Sequence, residues 1–528
     1  MRSPVIAIIF CLFTVSSFAQ RGAFVQQGQR DIAPYVSKLG QTYYYLQNLY
    51  LDTVNFNKLT DKVLINIIKE LDPHSAYISV DEVKAMNEPL EGNFDGIGVE
   101  FALINDTLTI QATIPGGPSE KVGIRAGDKI IKVDGIQASG TGLTIEKVHK
   151  FLRGPKGSKV NVSILRKGEN QLADFVITRD KIPLNSLDAF YEVEPGIIYL
   201  HLSRFAATSY KEIMDALSGF RNPKGIILDL RGNSGGFLVS ALQIANEFLN
   251  EGDLILYTEG RTAPRMEEYA NGSGSLKNVP VTVLIDENSA SASEIVSGAI
   301  QDWDRGTIIG RRSFGKGLVQ QQLPLQDGSQ LRLTIARYHT PSGRVIQSPY
   351  QQGKTEEYYK QLIDRFTRGE QYSKDSIHFP DSLKYKTLRL GRTVYGGGGI
   401  MPDIFIPQDT SFYTPFYGQI LRKGLLTDYV NEYVDQNRSR LAAQYKNAGQ
   451  FEKSFVVNDK LFGDFIAYCK EKGVEPKENQ LEVSGPELKK YFKGLVLRSL
   501  YGLSSYFEYI NKDDAETLKA LEVLKKQI

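Results

Sequence analysis

Residues 183–346 alternate short apolar strands with helices, and this alternation limits the possible folds more than any other feature of the chain. The predicted elements are strands over Ile197–Leu202, Gly225–Leu230, Leu254–Thr258 and Val281–Ile285, and helices over Ser209–Phe220, from a Gly-rich turn through Phe248, and from about Ala290. A strand–helix–strand rhythm is typical of α/β proteins. We therefore expect an α/β core around a largely buried sheet.

Residues 92–180 show a second pattern, in which short β-branched runs are separated by turn signals. These signals are Gly96-Ile97-Gly98, Pro115-Gly116-Gly117-Pro118, Asp134-Gly135 and Gly154-Pro155-Lys156-Gly157. Glycine and proline at such positions interrupt strands. A helix is predicted over Ile145–Leu152. The segment therefore predicts a small β-rich domain with one helix.

The remaining segments show neither the α/β pattern nor the β-rich pattern. Residues 30–75 have the apolar spacing of two helices, and Pro73 ends the second, which indicates an arm or a dimer surface. Residues 348–398 are polar and rich in tyrosine, as expected of an insertion, and residues 415–528 are mostly helical in pattern. The chain has 528 residues, and at roughly 100–200 residues per domain this length predicts about three domains.

Composition excludes little but supports a globular protein: 41% of residues are apolar, 23% are charged and the formal net charge is +2. A charge this close to zero gives no electrostatic support for a nucleic acid or an acidic membrane surface as partner.

The amino terminus has the pattern of an export signal. One arginine precedes an apolar run over Val5–Val15, and small residues follow up to Ala19. We predict a signal peptide over residues 1–20, cleaved near Ala19. A transmembrane anchor is the alternative, but the run is shorter than the roughly 20 residues a span needs.

Cysteine use agrees with export of a protein that has a large core. Cys11 would leave with the signal, so Cys469 would be the one thiol of the mature chain and no internal disulfide is expected. The expected location is the bacterial periplasm, with a membrane-associated form as the alternative.

Ser291 is the candidate nucleophile. It follows the strand Val281–Ile285 and a polar turn, at the start of a helix. A serine at such a turn exposes its hydroxyl, and the N–H of Ala292 at the helix start can bind an oxyanion. The alternative is simple helix capping, in which Ser289 or Ser291 caps the helix with Glu294 as its partner.

Lys316 is the candidate general base. It lies between Gly315 and Gly317, and small neighbours permit close backbone approach. A lysine enclosed in an apolar wall loses solvation, so its pKa falls and it can accept a proton. In an extended strand, Gln320 would lie on the same side and orient the amine. The alternative is a surface lysine in a hairpin turn.

Other polar residues are weaker candidates. None of the five histidines, His74, His149, His201, His339 and His378, stands in a triad pattern. Asp302 lies about three helical turns, roughly 16 Å, beyond Ser291, so we assign it to structural support. The glycines of the loop 231–236 can turn N–H groups toward an anion at a helix start. Phosphate binding is an alternative for this loop, although it lacks the lysine of the P-loop motif.

Seven motifs together resemble the carboxyl-terminal processing peptidases, or tail-specific proteases. They are LDPHSAYI (71–78), FDGIGVEF (94–101), AGDKIIKVDG (126–135), LDLRGNSGG (228–236), NSASASEI (288–295), FGKGLVQ (314–320) and IMPDI (400–404). The resemblance covers about residues 30–405. It implies a core of the crotonase/Clp-type α/β fold and a PDZ domain in the β-rich region.

The resemblance also implies residue roles. Ser291 would be the nucleophile, Lys316 the base and Gln320 its orienting partner. The oxyanion hole would use the N–H groups of Ala292 and of Gly235 or Gly236.

For the PDZ domain, the carboxylate-binding loop would contain Gly96, Ile97, Gly98 and Val99, whose N–H groups form a nest for a client's carboxyl terminus. Arg153 would help couple the loaded PDZ domain to the active site, and a solvent-facing arginine is the alternative.

These inferences predict the following organisation: a signal peptide over 1–20, a helical arm over 21–91, a PDZ-like domain over 92–182, a Ser/Lys peptidase core over 183–410 with its insertion, and a helical region over 411–528. The predicted function is serine endopeptidase cleavage of exported proteins held by their carboxyl termini. A catalytically silent PDZ-type peptide-binding scaffold is the alternative. The expected partners are peptides with free carboxyl termini, with an adaptor protein and a second copy of the chain as further candidates. No cofactor or metal is expected.

Overall fold

The computed structural model describes residues 32–528, so the predicted signal peptide and Cys11 lie outside the described residues. Residues 32–69 form a unit of two helices, α1 (32–49) and α2 (Phe56–Lys69). The Tyr43 hydroxyl hydrogen-bonds the Thr60 hydroxyl at 3.2 Å, which joins the two helices. Several large apolar side chains of this unit are exposed, among them Tyr35, Leu39 and Ile67.

The second unit, residues 70–528, begins with β1 (Ala76–Ile78) and α3 (Val80–Glu91). The β-rich region follows: β2 (Asn93–Gly96), β3 (Val99–Ile104), β4 (Thr107–Thr113), α4 (Pro118–Lys121), β5 (Lys129–Val133), β6 (Ile136–Gln137), α5 (Ile145–Leu152), β7 (Lys159–Leu165), β8 (Ala173–Thr178) and β9 (Asp180–Pro183). The predicted helix matches α5 in both bounds.

The β-rich region is built on an antiparallel sheet with the order β3-β4-β5-β7-β8, and β2 pairs with β9 beside it. Its inward side chains, such as Leu108, Ile130 and Val160, are fully buried. Helix α5 buries Val148 and Leu152 against this core. Strand β3 is at the edge of the sheet.

The central core alternates strands and helices as predicted. Its elements are β10 (Leu187–Glu194), β11 (Ile197–Leu202), α6 (Ser209–Ser218), β12 (Gly225–Asp229), α7 (Leu238–Phe248), β13 (Leu254–Glu259), β14 (Met266–Tyr269), β15 (Val281–Ile285), α8 (Ala292–Asp302), β16 (Thr307–Gly310), β17 (Leu318–Pro324) and β18 (Gln330–His339). The mixed α/β fold with a β-rich PDZ-like region and helical ends is thereby confirmed.

The insertion contributes α9 (Thr355–Thr367), two short 3-10 turns (Lys374–Ser376 and Asp381–Leu383), β19 (Lys384–Lys386) and β20 (Thr393–Tyr395), and β21 (Ile404–Phe405) follows it. The main sheet has the order β10-β11-β12-β15-β16-β21, and its strands from β11 onward are parallel. A second, antiparallel sheet joins β1, β18, β13 and β14, with β17 paired to β18.

The carboxyl-terminal helices are α10 (Pro415–Arg422), α11 (Leu425–Gln444), α12 (Ala448–Ser454), α13 (Asp459–Glu471), α14 (Gln480–Tyr501), α15 (Leu503–Ile510) and α16 (Ala515–Lys525). Buried Cys469 belongs to the core of this region. Helix α16 packs on the main sheet, where Leu521 and Leu524 contact the cluster around Tyr199 and Ile227. Within residues 32–528, no helix has both the length and the apolar character that crossing a bilayer requires.

Candidate active site

Ser291 directly precedes α8 and has a left-handed backbone, with φ of 55°. A positive φ is uncommon for a residue with a side chain, and such strain is concentrated at functional sites. The parallel strand β15 brings the chain to this turn at the carboxyl edge of the sheet, and Ala292 is the first residue of the helix. The structure therefore combines a strained serine with a helix amino terminus.

Lys316 lies in the loop between β16 and β17, because β17 begins only at Leu318. The prediction that Lys316 is part of an extended strand is wrong. The two glycines around the lysine instead form a loop packed against Gly399 and Gln347. A register shift in β17 just before Gln320 further interrupts the strand geometry.

The side chains of Lys316 and Gln320 nevertheless meet: Lys316 Nζ donates to Gln320 Oε1 at 3.0 Å. Burial and, to a lesser extent, the positive charge of Arg332 lower the pKa of Lys316 to about 8, against the opposing effect of Glu294 and Asp72. Near pH 8, an appreciable fraction of this amine is therefore neutral and able to accept a proton.

His74 is the next residue in contact with the Lys316–Gln320 pair. The sequence did not indicate that His74 lies at this site. Gln320 Nε2 donates to the backbone carbonyl of His74 at 2.5 Å. The imidazole Nε2 of His74 lies 3.1 Å from the Tyr358 hydroxyl. Burial, together with the nearby charge of Lys316, lowers the pKa of His74 to about 4, so the ring is neutral at physiological pH. Its place beside the base was not detectable from spacing, since Lys316 is more than 200 residues away in sequence.

A cavity of about 1150 Å³ brings the predicted site together. Its lining includes all the predicted catalytic and oxyanion-hole residues, Gly235, Gly236, Ser291, Ala292, Lys316 and Gln320. Apolar side chains, including Phe237, Leu238 and Ile295, form part of the wall. The serine and the lysine therefore share one concave surface of the size that ligand sites have.

The glycine loop packs tightly against the serine turn. Gly235 has φ of 102°, and a Cβ there would lie 2.8 Å from Ser291 Cβ and 3.0 Å from Ala292 N. The N–H of Gly235 donates to Asn233 Oδ1 at 2.8 Å. The N–H groups of Gly236 and Ala292 have no acceptor within residues 32–528. Of the two glycines, Gly236 is thus the one with an unengaged N–H.

Glu294 is a fully buried carboxylate between the serine turn and the lysine loop. Its donors are Ser291 N (2.8 Å), Lys316 N (2.9 Å), Gly315 N (2.7 Å) and Ser313 Oγ (2.6 Å). Burial raises the pKa of Glu294 to about 7, although these four hydrogen bonds oppose the rise. The sequence marked this residue only as a helix-capping partner, three positions after Ser291.

Asp302 lies at the other end of α8 and takes no part in the cavity. Asp302 Oδ1 is 2.7 Å from the Arg344 guanidinium, and both side chains are fully buried. Asp302 Oδ2 accepts the N–H of Ser342 at 3.0 Å. The residue thus ties the end of α8 to the segment that follows β18.

The predicted carboxylate loop connects β2 to β3. Gly96 ends β2, Val99 begins β3, and Gly98 has a left-handed φ of 73°. The carbonyl of Ile97 accepts the N–H of Ser119 at 3.0 Å, whereas the N–H groups of Ile97 and Gly98 have no acceptor in the described part of the chain. These donors lie beside the edge strand β3, where an added strand can pair.

Arg153 ends α5 and contacts the helix that precedes the β-rich region. Its guanidinium forms an ion pair with Glu88 of α3, a buried residue, and lies 4.7 Å from the centre of the Phe94 ring. Leu90, on the same helix α3, lines the cavity around Ser291. Arg153 is therefore a contact between the β-rich region and a helix that reaches the site, not a solvent-facing arginine.

Comparisons with known proteins follow this division of the chain. Residues 196–354 match the sequence profile of peptidase family S41, residues 96–177 match the PDZ domain, and residues 416–502 match a family of unknown function.

A carboxy-terminal-processing protease of Bartonella bacilliformis is 33% identical over 354 residues, which are 66% of this chain and 80% of that protein. A probable CtpA-like serine protease of Staphylococcus aureus is 32% identical, over 59% of this chain and 62% of its own length, so the chain spans just under two thirds of that relative. Among solved structures, a photosystem II D1 C-terminal processing protease is 28% identical with a TM-score of 0.33, covering 58% of this chain and 84% of its own.

Proposed function

The chain belongs to peptidase family S41, together with carboxy-terminal-processing proteases, and on this premise we propose that it is a serine endopeptidase whose nucleophile is Ser291 and whose general base is Lys316. The observation that carries the proposal is that a strained serine and a lysine with a lowered pKa line one cavity. Both features match what nucleophilic catalysis requires of such a pair.

In the proposed mechanism, the neutral amine of Lys316 accepts the hydroxyl proton as Ser291 Oγ attacks the peptide carbonyl carbon. The carbonyl oxygen gains the negative charge of the tetrahedral intermediate, and backbone N–H groups stabilise it. The Lys316 ammonium then protonates the leaving amine, which departs from an acyl-enzyme. Water, deprotonated by the same amine, attacks the ester and releases the acid and Ser291.

We assign the oxyanion donors to Ala292 and Gly236, because both N–H groups are unengaged. Gly235 can serve as a donor only if its N–H leaves Asn233 Oδ1. Gln320 holds the amine of Lys316 toward the cavity through its side-chain carbonyl.

The test is cleavage of an unfolded client protein by the wild type and by Ser291→Ala and Lys316→Ala, with products read by mass spectrometry. We expect each substitution to reduce cleavage by several orders of magnitude, about 10⁴-fold or more. Wild-type activity in both variants would exclude the assignment. A client returned uncut by the wild type would instead favour a PDZ-type binding scaffold.

We further propose that the PDZ domain captures the carboxyl terminus of the client. The loop over Gly96, Ile97, Gly98 and Val99 would bind the carboxylate, and the client would extend along β3 as an added strand. Amidating the client's terminus removes the negative charge, so binding to the PDZ domain should weaken. Equal binding of amidated and free peptides would exclude this mode of capture.

The proposed location is the periplasm, after removal of residues 1–20. Fractionation of cells that express the full chain tests this, and recovery of the protein in the cytoplasm would exclude it.

The exposed apolar side chains of α1 and α2 support a second copy of the chain as a partner. Light scattering of the purified protein tests for such a dimer, and an adaptor protein is the alternative partner for these surfaces.

A further inference from the structure

One oxygen of Glu294 bridges the backbones of the nucleophile and the base. Glu294 Oε2 accepts the N–H of Ser291 at 2.8 Å and the N–H of Lys316 at 2.9 Å. Ser291 begins α8 and Lys316 lies in the loop before β17, so this oxygen joins two separate elements. Oε1 holds the same loop through Gly315 N and Ser313 Oγ.

Tyr338 bridges the same two residues through their carbonyl groups. Its hydroxyl, on β18, lies 2.8 Å from the Lys316 carbonyl oxygen and 3.3 Å from that of Ser291. The side chain is buried. A phenol has a single hydrogen. The hydroxyl therefore donates mainly to the carbonyl oxygen of Lys316, and its longer contact with the carbonyl oxygen of Ser291 is the weaker one. Glu294 thus accepts hydrogen bonds from the N–H groups of Ser291 and Lys316, and Tyr338 donates to the carbonyl groups of the same two residues.

Both members of the pair need an external support. Ser291 has a strained backbone with φ of 55°, which persists only where neighbouring groups hold it. Lys316 is preceded by Gly315, at φ of 96°, so its loop is not fixed by local sterics. Misplacement of reacting groups by about 1 Å can cost around 100-fold in rate.

We propose that Glu294 and Tyr338 are positioning residues that hold the backbones of Ser291 and Lys316 in the relative position that the reaction requires. This inference rests on the proposed function of the dyad and adds to it a rigid link between the two backbones. Glu294 is not part of the cavity lining, whereas Tyr338 borders the cavity.

The test compares Tyr338→Phe and Glu294→Gln with the wild type in steady-state peptide cleavage. Tyr338→Phe keeps the buried ring and removes only the bridging hydroxyl. Glu294→Gln keeps the shape but places an NH₂ group against backbone N–H donors. We expect kcat to fall by about 10- to 100-fold in each variant while KM changes by less than about twofold, because the loss is in alignment and not in binding.

Tyr501→Phe is the matched control, since the Tyr501 hydroxyl also donates to a backbone carbonyl, that of Tyr445, but in the carboxyl-terminal region. It should keep wild-type kcat. Thermal unfolding of all variants shows whether a lower kcat comes from misalignment or from loss of the fold. If Glu294→Gln does not fold, the kcat of Tyr338→Phe alone tests the positioning role.

Wild-type kcat in a folded Tyr338→Phe or Glu294→Gln enzyme would overturn the inference, and so would a rise in KM at unchanged kcat. Ser291→Ala distinguishes failure of the proposed function from failure of the positioning role. If it is inactive while Tyr338→Phe is fully active, the proposed function stands and the positioning role falls. If Ser291→Ala is active, both fall.

Discussion

Lys316 Nζ donates to Gln320 Oε1 at 3.0 Å, yet burial of the amine, not this hydrogen bond, is the main cause of its lowered pKa. The carbonyl of Gln320 accepts from the ammonium and equally orients the neutral amine. This hydrogen bond therefore orients the Lys316 amine without placing a negative charge beside it. A negative charge there would have raised the pKa of Lys316.

Activity should depend on pH through the titration of Lys316. The Lys316 amine is protonated below its pKa of about 8 and cannot act as a base, so kcat/KM should rise with pH and level off above about 8. Peptide cleavage measured from pH 6 to pH 10 checks this, and a flat profile would contradict it.

Arg332→Gln should move this rise to higher pH. Arg332 is a positive neighbour that lowers the pKa of Lys316, whereas Glu294 and Asp72 raise it. Removing the positive charge favours the protonated amine. Arg337→Gln, an exposed arginine on the same strand, is the control and should leave the profile unchanged. A shift to lower pH in Arg332→Gln would contradict the electrostatic account.

Gly235→Ala should abolish most activity. The added methyl group would lie 2.8 Å from Ser291 Cβ and 3.0 Å from Ala292 N, and φ of 102° disfavours any side chain. We expect a loss of about 100-fold or more in kcat, comparable to loss of an oxyanion donor. Gly232→Ala, in the same loop at φ of 70° but with open space around it, should be milder. Equal kcat values for the two variants would count against this packing argument.

Arg153→Ala should separate tail binding from cleavage. Because Arg153 contacts Glu88 of α3 and the Phe94 ring, its loss should leave peptide binding to the PDZ domain intact. Cleavage of a tailed protein should fall, while cleavage of a short untailed peptide should change little. Lys150→Ala, an exposed lysine on α5, is the control. Weaker tail binding in Arg153→Ala would indicate a direct role in capture.

Asp302→Ala should destabilise the fold. Asp302 and Arg344 are both fully buried, so removing the carboxylate leaves an unpaired buried charge, at a cost of about 3–5 kcal/mol in free energy of unfolding. Asp381→Ala, which removes an exposed ion pair with Lys384, should have no measurable effect. Urea denaturation of both variants provides the comparison. A wild-type midpoint in Asp302→Ala would show that the pair is not needed.

Local pattern predicted most of the secondary structure near the site. Strand β15 and helix α5 have the predicted bounds, because apolar periodicity and turn residues are read over short stretches. The strand predicted around Lys316 failed for a tertiary reason: Gly315 and Gly317 pack against Gly399 and Gln347, far along the chain.

Residue type and motif spacing are local properties of the chain, so they were enough to identify the residues of the proposed chemistry. The sequence also determined the division into helical, β-rich and α/β segments. Tertiary packing alone brings the carbonyl of His74 to Gln320 and places Glu294 and Tyr338 as bridges between Ser291 and Lys316. Such contacts join distant segments, and burial, which sets the pKa of the base, exists only once these segments pack.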